Sequence, residues 1–254
     1  MKAVSVYQKK YHIESNDVDF TKKVKLSSLF NYFQEIACTH ADNLGVGVNM
    51  IEKTGVGWAL IRIKVDIIRY TVWNEEIQIE TWYQEPKKFE FERDFAVYDM
   101  DGNIIINAVS TWVIFDIKTR ELRKAELITP GFPPIIKGRA IDCKLGKLKA
   151  FGPLDFVYKK AIGYSDIDFN GHINNSKYID FIMDCFTMEK HRRYRVRKIE
   201  VNYINEALPE TTIIIYKDLS ASSSNLIYFE GINEEDNKAI FKAQIEIAGD
   251  TESL

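Results

Sequence analysis

Four polar side chains in the second half of the sequence have types and a spacing that suit general acid–base chemistry. Asp168, Asn170 and His172 stand at alternate positions of the segment SDIDFNGHINN, and Glu206 follows later, within VNYINEALP. Alternate residues of an extended chain point the same way, so the segment is predicted to present an acid, an amide and an imidazole together. Imidazole and carboxylate groups are common proton acceptors in active sites.

The same residues also have simpler interpretations. Aspartate-rich loops before helices are common turns and caps, and an isolated glutamate is usually a surface residue. A metal site is disfavoured because one histidine with flexible carboxylates does not define a zinc tetrahedron. No GxSxG motif is present, and Cys185 falls on the apolar face of a predicted helix, as a core residue would. We therefore expect neither a metal nor a cofactor.

The segment that contains these residues occurs twice. DVDF at 17–20 recurs as DIDF at 166–169, and VKLSSLFNYFQEIA (24–37) then aligns without gaps with INNSKYIDFIMDCF (173–186). Both stretches place apolar residues three and four positions apart, which predicts one amphipathic helix in each copy. Asn174 or Asn175 is predicted to cap the second helix.

The two copies differ at the positions that could do chemistry. Where the second copy has Asn170 and His172, the first has Thr21 and Lys23, and Tyr70 stands in place of Glu206. The first copy keeps only an aspartate, so catalysis is predicted in the second copy alone.

Strand patterns follow each predicted helix. An antiparallel sheet must bury one face, and the helix is the only element able to cover it. The sequence therefore predicts an α+β tandem (double) hotdog fold, in which each half is an antiparallel sheet wrapped around a long central helix. The strand candidates are 63–81, 89–98 and 104–115 in the first half, and 199–217, 226–232 and 239–247 in the second.

The predicted domains are an N-terminal, non-catalytic hotdog over 1–128, a linker over 129–150 and a catalytic C-terminal hotdog over 151–254. The linker contains Pro130, Pro133 and Pro134 together with several lysines. The first copy also has an insertion after its helix, around 45–57.

Composition excludes several classes of protein. The 34 basic and 37 acidic side chains nearly balance, whereas a general nucleic-acid binder carries a basic excess. The longest uncharged run, 102–115, is shorter than the roughly 20 apolar residues of a membrane span. The N-terminus has no apolar core of signal-peptide length. Three widely spaced cysteines do not form a disulfide framework, so we expect a cytoplasmic protein.

Over nearly its full length the chain resembles the acyl-acyl carrier protein (acyl-ACP) thioesterases, double-hotdog enzymes that release fatty acids from acyl carrier protein. The similar segments are GWALIRIKVDIIRYTVWNEEIQIETW (57–82), RDFAVYDMDGNIIINAVSTWVIFDIKTREL (93–122) and SDIDFNGHINNSKYIDFIMD (165–184). The resemblance implies hydrolysis of fatty acyl-ACP, with the family's catalytic residues at Asp168, Asn170, His172 and Glu206.

One difference from the plant members of the family predicts a mechanism that uses water as the nucleophile. Plant members of the family have a cysteine directly after the catalytic glutamate, whereas this chain has Ala207. His172 and Glu206 would then deprotonate a water molecule, and the sequence leaves the division of roles between them open. The amide of Asn170 and backbone N–H groups near Asn174 and Asn175 would stabilise the oxyanion.

Acyl carrier protein with its fatty acyl phosphopantetheine is the implied partner. It is acidic, and this chain carries a net charge of −3, so a local basic patch is expected to attract it. A cluster after the second helix could do so or could simply be a solvated surface. Its members are Lys190, Arg192, Arg193, Arg195, Arg197 and Lys198. The oligomeric state, monomer or homodimer, is left open, because two fused hotdog domains already form the pair that single hotdog domains usually form by dimerising.

Three other functions fit a hotdog fold. An acyl-CoA thioesterase would differ only in its carrier. A hydratase would have DxNPxH, whereas this chain has the shorter DFNGH. A non-enzymatic acyl-binding regulator would need a DNA-binding helix pair, for which no segment is free.

Overall fold

The computed structural model describes residues 2–221 and 225–249. The chain divides into two compact units, one of residues 1–24 and 31–145 and the other of residues 25–30 and 146–254. The predicted domain boundaries remain predictions.

The first unit is an antiparallel sheet with the greater part of one long helix, residues 31–43. Its strands pair in the order β1-β3-β4-β5-β2, with β6 beside β5. Phe33 and Ala37 of α1 are buried, at the four-residue spacing that the sequence predicts. The short helix α2 occupies the predicted insertion. The elements are β1 (Val6–His12), α1 (Leu26–Asn43), α2 (Val48–Thr54), β2 (Val56–Ile67), β3 (Glu76–Tyr83), β4 (Glu90–Tyr98), β5 (Ile104–Asp116) and β6 (Leu122–Arg123).

The second unit repeats this plan with the strand order β8-β11-β10-β9-β7. On α3, Tyr178 and Ile182 are buried on the face that the sequence predicts to be apolar. The double hotdog fold is thus confirmed. The elements are β7 (Asp155–Ala161), α3 (Asn175–Met183), α4 (Met188–Arg193), β8 (Tyr194–Tyr203), β9 (Thr212–Asp218), β10 (Leu226–Asn233) and β11 (Ala239–Gly249).

The helix of the second copy is shorter than predicted. It ends at Met183, and Thr187 then caps α4 by accepting a hydrogen bond from the N–H of Lys190 at 3.3 Å. The prediction that Cys185 belongs to this helix is wrong, because the helix ends at Met183 and a new one begins after Thr187. The Cys185 thiol nevertheless stays partly buried, 3.4 Å from the carbonyl oxygen of Phe181.

The predicted linker has no helix or strand, and its first part lies against the first unit. The indole N–H of Trp82 donates to the carbonyl oxygen of Gly138 at 2.9 Å. The fully buried carboxylate of Asp94 accepts from the N–H of Ala140 at 2.8 Å and from Arg139 Nε at 3.2 Å. These contacts fix the linker on the face of β3 and β4 that points away from α1.

Within residues 2–221 and 225–249, no helix combines the length and the apolar character needed to cross a membrane.

Candidate active site

Asp168 organises a tight turn at the start of the site. Its Oδ1 accepts from the N–H of Asn170 at 2.8 Å and lies 3.5 Å from the backbone nitrogen of His172. The N–H of Gly171 closes the turn on the carbonyl oxygen of Asp168 at 3.0 Å, and Gly171 has a φ of +79°, which suits glycine. The expectation of an extended segment with three side chains on one side is therefore wrong. The aspartate reverses the chain by binding its own backbone.

The first copy has the same turn without the catalytic side chains. Asp19 Oδ1 accepts from the N–H of Thr21 at 2.7 Å, and the N–H of Asp19 donates to the carbonyl oxygen of Lys23 at 2.8 Å. In the second copy the N–H of Asp168 donates to the carbonyl oxygen of His172 at the same distance, 2.8 Å. The aspartate is thus an architectural residue in both copies.

The position of Glu206 is equivalent to that of Tyr70. In the first unit, the N–H groups of residues 68 and 69 both donate to the carbonyl oxygen of Ile105, at 3.0 and 3.1 Å. In the second unit, the N–H groups of residues 204 and 205 both donate to the carbonyl oxygen of Ile240, at 2.8 and 3.2 Å. The next residue in each case is Tyr70 or Glu206, as the sequence alignment predicts.

The turn and the chain after β8 bring His172 and Glu206 together. His172 Nδ1 lies 3.6 Å from Glu206 Oε2, and the two side chains are 35% and 43% exposed. The Nδ1 atom itself is buried and makes no hydrogen bond to any described residue. The Glu206 carboxylate lies at a distance slightly longer than a hydrogen bond, and such distances often shorten when substrate binds.

Asn174 caps α3, which settles the open choice between the two asparagines. Its Oδ1 accepts from the N–H of Ser176 at 2.9 Å, and its own N–H donates to the carbonyl oxygen of Asp166 at 2.9 Å. The backbone N–H groups of Asn174 and Ser176 therefore already donate hydrogen bonds within the protein. The expected role of Asn174 in oxyanion binding does not fit this arrangement. The carbonyl oxygen of Asn175 accepts from the hydroxyl of Tyr203 at 3.1 Å.

The side chain of Asn170 is another amide donor of the predicted set. Asn170 is exposed, and its side chain forms no hydrogen bond with the described residues. Its N–H₂ group is therefore available to a ligand. The backbone N–H of Asn170, by contrast, is held by Asp168.

The residue after Glu206 is buried and carries no thiol. Ala207 is 1% exposed, and its backbone is hydrogen-bonded to the hydroxyl of Tyr178 on α3. Burial raises the pKa of Tyr178, so the phenol stays neutral. The apolar spacing places Tyr178 on the buried face of α3, but it gives no sign of this hydrogen bond, which connects α3 to the segment that contains Glu206. Burial also raises the pKa of the Cys185 thiol to about 12, which leaves it protonated at neutral pH.

The basic cluster lies on α4 and the first half of β8. Two members already pair with acids: Arg193 lies 2.7 Å from Glu189, and Lys198 lies 2.8 Å from Glu246. Arg195 donates to backbone oxygens, including that of Tyr194 at 3.0 Å. Arg192 and Arg197 are exposed. The cluster is therefore accessible at several positions, but its charge is partly neutralised within the unit.

Among the described residues, no three His, Cys, Asp or Glu side chains are grouped so that they could hold a metal ion.

Comparison with known proteins identifies the family. The family model of the acyl-ACP thioesterase N-terminal domain matches residues 4–128, and that of the C-terminal domain matches residues 157–253. Oleoyl-acyl carrier protein thioesterase 2, chloroplastic, of Arabidopsis thaliana is 25% identical over 220 residues, which cover 79% of this chain and 59% of the relative. Palmitoyl-acyl carrier protein thioesterase, chloroplastic, of Cuphea hookeriana is 26% identical over 224 residues, which cover 82% and 53%.

Two solved structures share the fold. An acyl-ACP thioesterase from Bacteroides thetaiotaomicron superposes with a TM-score of 0.87 at 24% identity, covering 96% of this chain and 98% of the other. The 12:0-ACP thioesterase from Umbellularia californica superposes with a TM-score of 0.81 at 21% identity, covering 97% and 98%. The chain spans 59% and 53% of the two plant relatives named above. On the two family models, the chain belongs to the acyl-ACP thioesterase family.

Proposed function

We propose that this protein hydrolyses the thioester of fatty acyl-ACP and so releases a free fatty acid at the end of fatty acid synthesis. The observation that carries the proposal is the pairing of His172 Nδ1 with the Glu206 carboxylate at 3.6 Å. The pair lies in the one copy of the repeat that also has Asn170.

In the proposed mechanism, Glu206 orients His172 and His172 is the general base. A carboxylate beside Nδ1 favours the tautomer that carries its proton there, which leaves Nε2 as the acceptor. Nε2 takes a proton from water as the water oxygen attacks the thioester carbonyl carbon. The tetrahedral intermediate collapses with cleavage of the C–S bond, and the proton passes to the departing sulfur. The products are the fatty acid and the carrier thiol.

Asn170 is the proposed oxyanion donor, because its side-chain N–H₂ is unoccupied while the backbone N–H groups of Asn174 and Ser176 are not. Removing one such donor typically lowers the rate about 100- to 1000-fold. Asp168 positions both Asn170 and His172 through the turn. The first copy would shape the slot for the acyl chain.

Carrier recognition is assigned to the exposed part of the basic cluster, with Arg192, Arg193 and Arg197 as its accessible members and Arg195 beside them. The runner-up is an acyl-CoA thioesterase with the same residues and a different carrier. The relatives named above are acyl carrier protein thioesterases, which favours acyl-ACP as the substrate.

We also propose a cytoplasmic location for the protein. Whether it acts as a monomer or a homodimer is to be tested by sedimentation.

The decisive experiment measures fatty acid release from a panel of acyl-ACP and acyl-CoA thioesters. His172→Ala is expected to lower kcat at least about 100-fold, as for loss of a general base. The matched control is Lys23→Ala at the equivalent position of the first copy, which should change kcat only a few-fold. Similar losses in both variants would contradict the proposed site, and a preference for CoA would favour the runner-up.

A second variant separates the roles of the two residues. If Glu206 only orients the imidazole, Glu206→Gln should reduce kcat less than His172→Ala does. A loss of kcat in Glu206→Gln as large as that in His172→Ala would contradict a purely orienting role and favour Glu206 itself as the base.

A further inference from the structure

The first unit contains a charged side chain that the proposed mechanism does not use. Arg93 lies on β4 between Phe91 and Phe95, on the same face of the strand. The ring of Phe95 contacts that of Phe33 on α1, with centroids 4.7 Å apart. Arg93 therefore lies on the face that α1 covers. Burial lowers its pKa only to about 10, so it is charged at neutral pH.

Neutral groups hold this guanidinium in place. Nη1 donates to Nδ1 of His40 at 2.9 Å and to Oγ1 of Thr81 at 3.1 Å. Nε2 of His40 bonds the carbonyl oxygen of Val4 at 2.9 Å, which leaves Nδ1 as the acceptor. Burial and the adjacent guanidinium lower the pKa of His40 to about 4, so the imidazole contributes no charge. Nothing in the sequence around His40 predicts this polar partner.

No carboxylate of residues 2–221 and 225–249 forms an ion pair with Arg93, although the charge of Asp94 acts on it at longer range. The next residue, Asp94, points to the opposite face of the sheet, where Arg139 and Ala140 bind it. A charge that is removed from water without a counter-ion is costly, so such a group usually has a partner.

The repeat shows that the fold does not need an arginine here. Arg93 pairs with Ser110 on β5, and both hairpins have a bulge at the corresponding place, after Val97 in the first unit and after Gly231 in the second. Arg93 lies four residues before Val97, and Ile227 lies four residues before Gly231, so the two positions are equivalent. Ile227 is 5% exposed. An ordinary apolar side chain therefore fills this position in the second copy.

We propose that Arg93 binds the carboxylate of a long-chain monocarboxylic acid inside the first unit. Arg93 is half-buried, and the guanidinium N–H groups other than those of Nη1 form no hydrogen bond with the described residues, so they can form charge-assisted hydrogen bonds with a carboxylate. The neighbouring Phe91 and Phe95 are 5% and 1% exposed and make the surroundings apolar. A ligand with one anionic head and an apolar tail fits this combination. The identity of the acid as the reaction product rests on the proposed function, whereas the anion site does not.

The test compares fatty acids with the matched alcohols, which lack the charge. Octanoate, dodecanoate and hexadecanoate are titrated into the whole protein by calorimetry, each beside its own alcohol. The wild type is expected to bind at least one acid at least about tenfold more tightly than its alcohol. Arg93→Gln should remove that preference, and Arg93→Lys should keep part of it.

His172→Ala is the matched control, because a carboxylate bound at the catalytic turn would lose its preference there. Retention of the preference in His172→Ala and its loss in Arg93→Gln support the site in the first unit. The opposite pattern, or equal affinity of the wild type for acids and alcohols, overturns it. Thioesterase assays are run in parallel. Absent hydrolysis with an intact acid preference would refute only the proposed function.

A measurement on the wild type covers the case in which the Arg93 variants fail to fold. Carbon-13 NMR follows the titration of [1-¹³C]-labelled fatty acid bound to the protein. A carboxylate beside a guanidinium should titrate at lower pH than the free acid, because the cation favours the ionised form. Titration of the bound acid at or above the pH of the free acid overturns the proposal.

Discussion

The repeat allows a matched test of the turn that Asp168 organises. Asp168→Ala and Asp19→Ala remove the same carboxylate from equivalent turns, but only the second turn carries Asn170 and His172. The two variants should therefore lose similar stability while only Asp168→Ala loses activity.

The size of the stability loss follows from the contacts. Asp168 makes one good hydrogen bond, at 2.8 Å, and a second contact, at 3.5 Å, that adds little. Asp19 makes bonds of 2.7 and 2.6 Å with the N–H and hydroxyl of Thr21. A hydrogen bond to a charged group contributes about 1.5–3 kcal/mol. Because both turns are partly exposed, we expect each variant to lose about 1–2 kcal/mol of unfolding free energy.

The activity loss has a different origin. Without the carboxylate the turn no longer fixes the backbone N–H of Asn170, and a displacement of about 1 Å at reacting groups can cost on the order of 100-fold. We expect Asp168→Ala to lower kcat about 10- to 100-fold and Asp19→Ala to change it less than threefold or so.

The assay combines urea unfolding with fatty acid release at a temperature where both variants are folded. An equal fall of kcat in the two variants would mean that global destabilisation, and not the turn, reduces activity. An unchanged kcat in Asp168→Ala would refute the positioning role directly.

Three further predictions concern other groups. The triple variant Cys38→Ser, Cys143→Ser and Cys185→Ala should keep most of its kcat apart from a modest packing loss at the last position, and an acyl group trapped on a cysteine by mass spectrometry would contradict the water mechanism. Arg192→Glu with Arg193→Glu should raise KM for acyl-ACP and weaken its salt dependence while sparing short acyl-CoA substrates, whereas Lys118→Glu with Lys124→Glu, an equal charge change on the first unit, should not. Wild-type stability should fall by up to about 3 kcal/mol as pH drops from about 6.5 towards 4, because unfolded His40 binds a proton there and the buried imidazole, with its pKa lowered to about 4, does not. His40→Gln should flatten this slope in pH-dependent unfolding curves, and an unchanged slope would show that His40 does not cause it.

The sequence by itself determined the features that depend on neighbouring residues. Apolar spacing predicted α1 and the buried face of α3, and the repeated DxD motif indicated that the same segment occurs twice in the chain. Asn174 caps its helix because its side chain reaches an N–H group two residues away. Such interactions act within a few residues, so local pattern suffices to find them.

Chain reversal and helix length were harder to predict, because two local preferences compete. Alternation predicted an extended segment at 168–172, but the carboxylate of Asp168 captured the backbone and formed a turn. The apolar pattern continued past Met183, but the cap at Thr187 began a new helix.

Only the tertiary structure decided which distant groups meet. His172 approaches Glu206 because the start of α3 and the end of β8 converge. The distance of 3.6 Å between His172 Nδ1 and Glu206 Oε2 cannot be predicted from the local sequence of either segment. His40 and Arg93 come from α1 and β4, and their contact requires the sheet to wrap around the helix. The charge of Arg93 is unmatched for the same reason: alternation along β4 sends Asp94, its neighbour in sequence, to the opposite face of the sheet.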